Sequence, residues 1–187
     1  MNWFRKSSDI FSDPFDSLRV GPEHGRRADL PCSDEGCGGM SHIIQPAAVK
    51  IGVESVEKEE ILEELVDLLV RAEEVRDRDG VLGALRKREA LGSTGIGQGV
   101  AVPHAKHESM ERLVGALGIS RDGIEFESLD GQPAKIVFLL LARADHPGPH
   151  LRALAEVARL VHTDGFVDRL IQAPDAVSAL RTIRAEE

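Results

Sequence analysis

An α/β domain built around one sheet, with α+β as the neighbouring possibility, is the architecture this sequence predicts. Three observations carry the prediction. Apolar residues recur at helical spacing in separated stretches, strand-sized apolar runs alternate with them, and clusters of glycine, proline and aspartate punctuate the boundaries. No internal repeat is visible. Of the 187 residues, 147 follow Met40, which is the length of a single domain preceded by an extension.

Residues 1–40 show no sustained periodicity. Ser7-Ser8-Asp9, Ser12-Asp13-Pro14 and the run from Cys32 to Gly39 supply turns and breaks, so the segment reads as a disordered N-terminal extension. Two other readings stay open: Trp3, Phe4, Ile10, Phe11 and Phe15 form an amphipathic docking segment, or translation begins at Met40. The domain is expected over 41–187. From Lys58 to Arg76, Ile61, Leu62, Leu65, Val66, Leu68 and Leu69 make a helical stripe. Ser55 suits the N-cap, and Glu57, Glu59 and Glu60 place negative charge at the positive end of the helix dipole. Asp79-Gly80 reads as a break before a shorter helix from Val81 to Glu89. Four glycines between Gly92 and Gly99 exclude a helix there, and a short apolar strand ends at Pro103-His104. Leu113–Ser120 and Ala134–Arg143 read as strands, the second apolar enough to be buried on both faces. Asp122-Gly123 and Asp130-Gly131 turn the chain around a short segment, Ile124–Glu127. A helix is expected from about His150 to Val161, with Leu151, Leu154, Val157, Ala158 and Val161 on one face. The last helix runs from an Asp175 cap to Ile183.

Composition narrows the function classes. The chain has six Phe, one Trp and no Tyr, and Trp3, Phe4, Phe11 and Phe15 all precede residue 16. The main body must therefore have an aliphatic core, and it lacks the aromatic platforms that stack bases. The formal charge is −9, whereas a duplex-binding domain is normally basic over a face, so no nucleic-acid partner is expected. No apolar run reaches the ~20 residues of a membrane span, and no secretory signal opens the chain. Cys32 and Cys37 are too few for a disulfide framework, so a cytoplasmic location is the expectation.

Chemistry concentrates in two places. Gly95-x-Gly97-x-Gly99 lacks the Gly-Lys-Ser/Thr of a Walker loop and does not open a helix, so no nucleotide site is expected. His104 follows it, an imidazole at a strand end, and His150 stands just after Pro149 at the start of a helix, where amides and the dipole favour an anion. An imidazole nucleophile beside such a helix start is a rational phosphoryl-transfer site. The competing use is metal: His104-x-x-His107 and His146-x-x-x-His150 have tolerable zinc spacing. Pro147, Gly148 and Pro149 interrupt the second pair, however, and no His-Glu-x-x-His occurs. Neither metal nor cofactor is expected.

The run Arg88-Glu-x-x-Gly-Ser-Thr-Gly-Ile-Gly-x-Gly-Val-Ala-Val-Pro-His104, then Ile136-Val-Phe-Leu-Leu-Leu and Pro-His150-Leu-x-x-Leu, resembles the IIA domain of the phosphoenolpyruvate-dependent sugar phosphotransferase system. The type is fructose/mannitol, which includes the nitrogen-regulatory IIA proteins. The resemblance covers about Ser41 to Ile183 and leaves out the segment before Met40. It implies a single domain with a mixed sheet flanked by helices, His104 as phosphate acceptor, His150 as second active-site histidine, and Arg88 as a stabiliser of the phosphate. The implied activity is that of a phosphotransferase with a phosphohistidine intermediate. Phosphate would come from the carrier HPr and pass to a IIB partner for sugar uptake. The alternative is a nitrogen-regulatory module that controls target proteins through its phosphorylation state. With no IIB or IIC segment in these residues, a stand-alone IIA chain is expected. The proline-rich Asp145–Pro149 loop departs from the family pattern just ahead of His150.

Overall fold

The computed structural model describes residues 39–187. The expectations placed on Trp3, Phe4, Phe11, Phe15, Cys32 and Cys37 lie outside the described residues. The elements are α1 (Met40–Ile43), β1 (Ile44–Ile51), α2 (Lys58–Arg71), α3 (Arg78–Glu89), β2 (Gly95–Gly97), β3 (Val100–Ala101), β4 (His104–His107), β5 (Val114–Ile124), β6 (Ala134–Arg143), α4 (Pro147–Val161), α5 (Phe166–Ile171) and α6 (Ala176–Arg184). One mixed sheet runs β1-β5-β6-β3-β2, with β4 also paired to β6. Strands β1 and β5 are parallel, β5 and β6 antiparallel, and β3 and β4 lie parallel to β6. Among the described residues no helix is long and apolar enough to cross a membrane.

Strand β6 is the centre of the domain. Its side chains alternate between two cores, as a pleated strand requires. Val137, Leu139 and Leu141 face the core under α2 and α3, whereas Ile136, Phe138 and Leu140 face the core under α1, α4, α5 and α6. Burial on both faces is why this strand reads as an unbroken apolar run. The cores are mainly aliphatic, and Phe126, Phe138 and Phe166 are fully buried in them.

Helix α2 is capped two residues later than the sequence reading has it. Glu57 is the N-cap and forms a capping box with Glu60, while the Ser55 hydroxyl is engaged by Glu64. The helix stops at Arg71 instead of Arg76. Glu73 adopts φ 60°, and the Glu74 and Glu73 amides donate to Leu69 and Val70 carbonyls at 2.9 and 3.0 Å. This is the Schellman arrangement, closed by glutamate where glycine is usual. Asp79-Gly80 is not a break: the Asp77 side chain caps α3 by accepting from the Gly80 amide at 3.0 Å, which puts both residues in the first turn. Helix α4 begins at Pro147, and its buried face is His150, Ala153, Val157, Leu160 and Val161. Leu151, assigned to the apolar face from sequence, is exposed.

The Gly-rich segment folds as the sheet edge β2–β3. Gly95 is required by close approach, since a Cβ there would lie 2.8 Å from the Ser128 Cα. His104 opens a strand instead of ending one. Segment 100–107 follows β6 in constant register (Ala101 opposite Val137, His104 opposite Leu140), but the ladder is interrupted at Val102-Pro103. Proline has no N–H to contribute.

Glu73 holds a left-handed conformation that costs a non-glycine residue ~1 kcal/mol or more. Glu73→Gly should therefore raise stability by about 0.5 kcal/mol after the unfolded-state entropy of glycine is offset. Thermal unfolding should show a rise of about 1–2 °C, and a fall would contradict this account of where α2 stops.

Candidate functional site

The site gathers the end of α3, the start of β4 and the first turns of α4. Arg88, in the last turn of α3, donates from Nε to His104 Nε2 at 3.1 Å and from Nη1 to the Gly92 carbonyl at 3.0 Å. A cation in the last turn suits the negative end of the helix dipole. His104 Nδ1 lies 2.8 Å from the Val102 carbonyl. That oxygen can only accept, so Nδ1 carries the proton and Nε2 carries the lone pair that meets Arg88. The neutral imidazole is thus fixed in one tautomer, with its nucleophilic nitrogen beside a guanidinium.

His150 is 3% exposed, and its ring lies 5.3 Å from that of His104, tilted by 52°. Its position on the buried face of α4 explains the burial. Its Nδ1 has no hydrogen-bond partner, and an unpartnered lone pair is less costly there than an unpartnered N–H, so the proton sits on Nε2. The first turn of α4 offers fewer anion-binding amides than expected from sequence. Pro147 and Pro149 occupy its first and third positions, which leaves Gly148 as the amide between them.

Electrostatics keep both rings neutral near pH 7. Burial pushes His150 down to about 4, with His104 and Lys106 adding to the shift. Burial also lowers His104, reinforced by Arg88 and Lys106 and opposed by the Val102 carbonyl and Glu89. At the loop before α4, Arg143 and His146 hold the Asp145 carboxyl well below the usual range.

The structure brings together the three residues singled out from sequence: Arg88, His104 and His150. The metal pairings do not assemble. His104 and His107 are three apart on β4 and so face opposite sides of it; His107 Nδ1 bonds Ser109 at 2.7 Å, with Asp77 3.9 Å from its Nε2. His146 is exposed and bonds Asp145 at 2.9 Å. Among the described residues, no three His, Cys, Asp or Glu side chains converge on a metal-sized site.

Sequence reasoning assigned no role to Glu89. Its carboxylate is buried, accepts from the Thr94 amide at 3.0 Å and the Thr94 hydroxyl at 2.7 Å, and pairs with Lys58 at 3.3 Å. One signal was present. A carboxylate in the last turn opposes the helix dipole, so its placement there requires a tertiary partner.

Residues 42–186 match the family described as phosphoenolpyruvate-dependent sugar phosphotransferase system, EIIA 2. The chain is 37% identical over 134 residues to the fructose-specific EIIABC component of Bacillus subtilis, covering 72% of this chain but only 21% of that protein. It is 35% identical over 137 residues to a nitrogen regulatory protein of Bradyrhizobium diazoefficiens, covering 73% and 89% of the two chains. The crystal structure of nitrogen regulatory protein IIA-Ntr from Neisseria meningitidis superimposes with a TM-score of 0.72 at 30% identity, covering 77% of this chain and 98% of that one. The same fold, at 18% identity and a TM-score of 0.66, occurs in enzyme IIA mannitol of Escherichia coli in its complex with phosphorylated enzyme IIB mannitol, covering 76% and 99%. A mixed sheet between helix layers, in one domain, defines the class as a IIA-type fold. The chain belongs to the EIIA type 2 family of the phosphoenolpyruvate-dependent sugar phosphotransferase system.

The depressed His150 value has a consequence for stability. Between about pH 6.5 and 4 the unfolded chain binds a proton at His150 that the folded chain does not, so stability is full above pH 6.5 and falls as pH drops through this window. The loss is on the order of 3 kcal/mol, and His150→Phe should remove most of it. Denaturant unfolding at stepped pH, with imidazole NMR titration of His150, checks this; a His150 that titrates near 6.5 would contradict it.

Proposed function

We propose that the protein is a phosphocarrier that accepts a phosphoryl group from phospho-HPr on His104 and passes it to a IIB partner in sugar uptake of the fructose/mannitol type. The observation that carries the reading is the fixed tautomer of His104, which directs the Nε2 lone pair to a site lined by Arg88. Once Arg88 Nε releases it, Nε2 attacks and forms the new N–P bond as the donor's N–P bond breaks, and the donor ring, protonated on its other nitrogen, leaves as neutral imidazole. No proton has to move. Positive charge that develops on the His104 ring is taken up at the Nδ1–H donated to Val102, and Arg88 neutralises the phosphoryl oxygens. A loose transition state asks for this kind of alignment and charge stabilisation. His150 is the second ring of the site, its centre 5.3 Å from that of His104. The apolar rim suits a protein partner: Leu91 and Leu151, which follow Arg88 and His150 closely in the chain, are 79% and 62% exposed.

A second reading is a nitrogen-regulatory module acting on target proteins. The favouring observation is the match over nearly the whole length of the Bradyrhizobium and Neisseria nitrogen regulatory proteins. Pull-downs with phosphorylated and unphosphorylated protein separate the two: a membrane permease as partner supports sugar uptake, and soluble kinases or ion transporters support regulation.

Incubation with labelled phosphoenolpyruvate, Enzyme I and HPr should label the protein, and His104→Ala should abolish the label. Arg88→Met should slow incorporation by about a hundredfold, the usual cost of one lost oxyanion partner. Label that survives in His104→Ala overturns the assignment.

A further inference from the structure

Both ring nitrogens of His104 are governed from one buried carboxylate. The Thr94 amide and hydroxyl donate to Glu89. The Thr94 carbonyl accepts from the Val102 amide at 2.9 Å, and the Val102 carbonyl accepts from His104 Nδ1. These links form a continuous chain from Glu89 to one side of the imidazole. The other side meets Arg88, the residue preceding Glu89 on the last turn of α3, so anchoring the Glu89 carboxylate also anchors the backbone that carries Arg88. Lys58, reaching from the first turn of α2, closes the network: its Nζ pairs with Glu89 at 3.3 Å, bonds Glu127, and sits 5.5 Å from the centre of the Phe126 ring. Thr94 is fully buried and the Glu89 side chain is 7% exposed, so neither has water as an alternative partner.

From this chain we propose that Glu89 and Thr94 are positioning residues that set the tautomer and orientation of His104. The proposal rests on the phosphoacceptor reading of His104 for its kinetic part only. Glu89 touches no reacting atom; it acts through Thr94 and Val102 on Nδ1 and through the α3 backbone on Arg88. Hydrogen bonding at one ring nitrogen decides what the other can do, and a wrong tautomer inactivates an imidazole even where the geometry survives. The hydroxyl at position 94 thereby acquires a role beyond helping to hold a loop. Valine there would keep the shape and the amide donor but lose one of the two anchors.

Long-range 1H–15N spectra of the histidine rings in the full chain test the proposal. Wild type should show His104 with the proton on Nδ1 alone. Thr94→Val and Glu89→Gln should shift His104 toward a mixture of tautomers. Phosphoryl incorporation from phospho-HPr should fall about tenfold or more, with the KM for HPr little changed. Thr94→Ser, which restores the hydroxyl, should restore both readouts. A general loss of folding would not single out the tautomer, lower kcat at constant KM and respond to Ser over Val. Wild-type His104 protonated on Nε2 overturns the proposal whether or not any variant folds. So does an unchanged tautomer and rate in a folded Thr94→Val and Glu89→Gln. Absence of phosphoryl transfer in wild type, with the tautomer responses intact, would instead count against the phosphocarrier reading and leave the positioning chain standing.

Discussion

The hydrogen bond between His104 Nδ1 and the Val102 carbonyl is the interaction on which the rest of the site depends. Segment 100–107 lies along β6 in unbroken register, but Pro103 cannot donate to the ladder, so the pairing lapses at Val102-Pro103 and resumes at His104. Val102 bonds away from β6: its amide donates to the Thr94 carbonyl at 2.9 Å, and its carbonyl accepts from His104 Nδ1 at 2.8 Å. The proline thus ends one pairing with β6 at Ala101 and lets the next begin at His104. The Leu140 amide, bonded to the Pro103 carbonyl at 2.9 Å, keeps the interruption local.

Burial does the rest of the tuning. A half-buried imidazole flanked by Arg88, and a fully buried one behind it, cannot both take up charge cheaply. The site accordingly holds two neutral rings and one guanidinium. The helices divide the labour. The C-terminal end of α3 presents Arg88 where its own dipole welcomes a cation, whereas α4 contributes a buried histidine and, because of Pro147 and Pro149, little amide binding. The positive charge of the site thus comes from a side chain more than from a helix start.

Sequence alone went far in some elements and stopped short in others for identifiable reasons. Strand β6 was legible because burial on both faces writes a continuous apolar run, and α6 because Asp175 caps it as the rules expect. The end of α2 and the start of α3 were not. Glutamate in a left-handed position and an Asp-Gly pair inside a first turn both run against local propensity, and tertiary packing overrode it. The short α1 and α5 escaped for lack of a sustained helical pattern, and β1 because its burial, with Ile44 and Ala48 as its buried residues, does not alternate. His104 and His150 were legible as chemistry-bearing residues from their places beside a short strand and at a helix start, and Arg88 through the motif that carries the family resemblance. Their mutual contact was not, since no spacing rule links residues 88, 104 and 150. Glu89 was in plain view beside Arg88 and was passed over, because its partners Lys58 and Thr94 come from other elements.

The central claim is that a neutral His104, held by Val102 and Arg88, receives the phosphoryl group on Nε2. Phosphorus–nitrogen correlation NMR of the phosphorylated, 15N-labelled protein reads this directly. The account predicts a single phosphohistidine with phosphorus coupled to Nε2 of His104 and the proton retained on Nδ1. Phosphorus on Nδ1 of His104, or on His150, would contradict it.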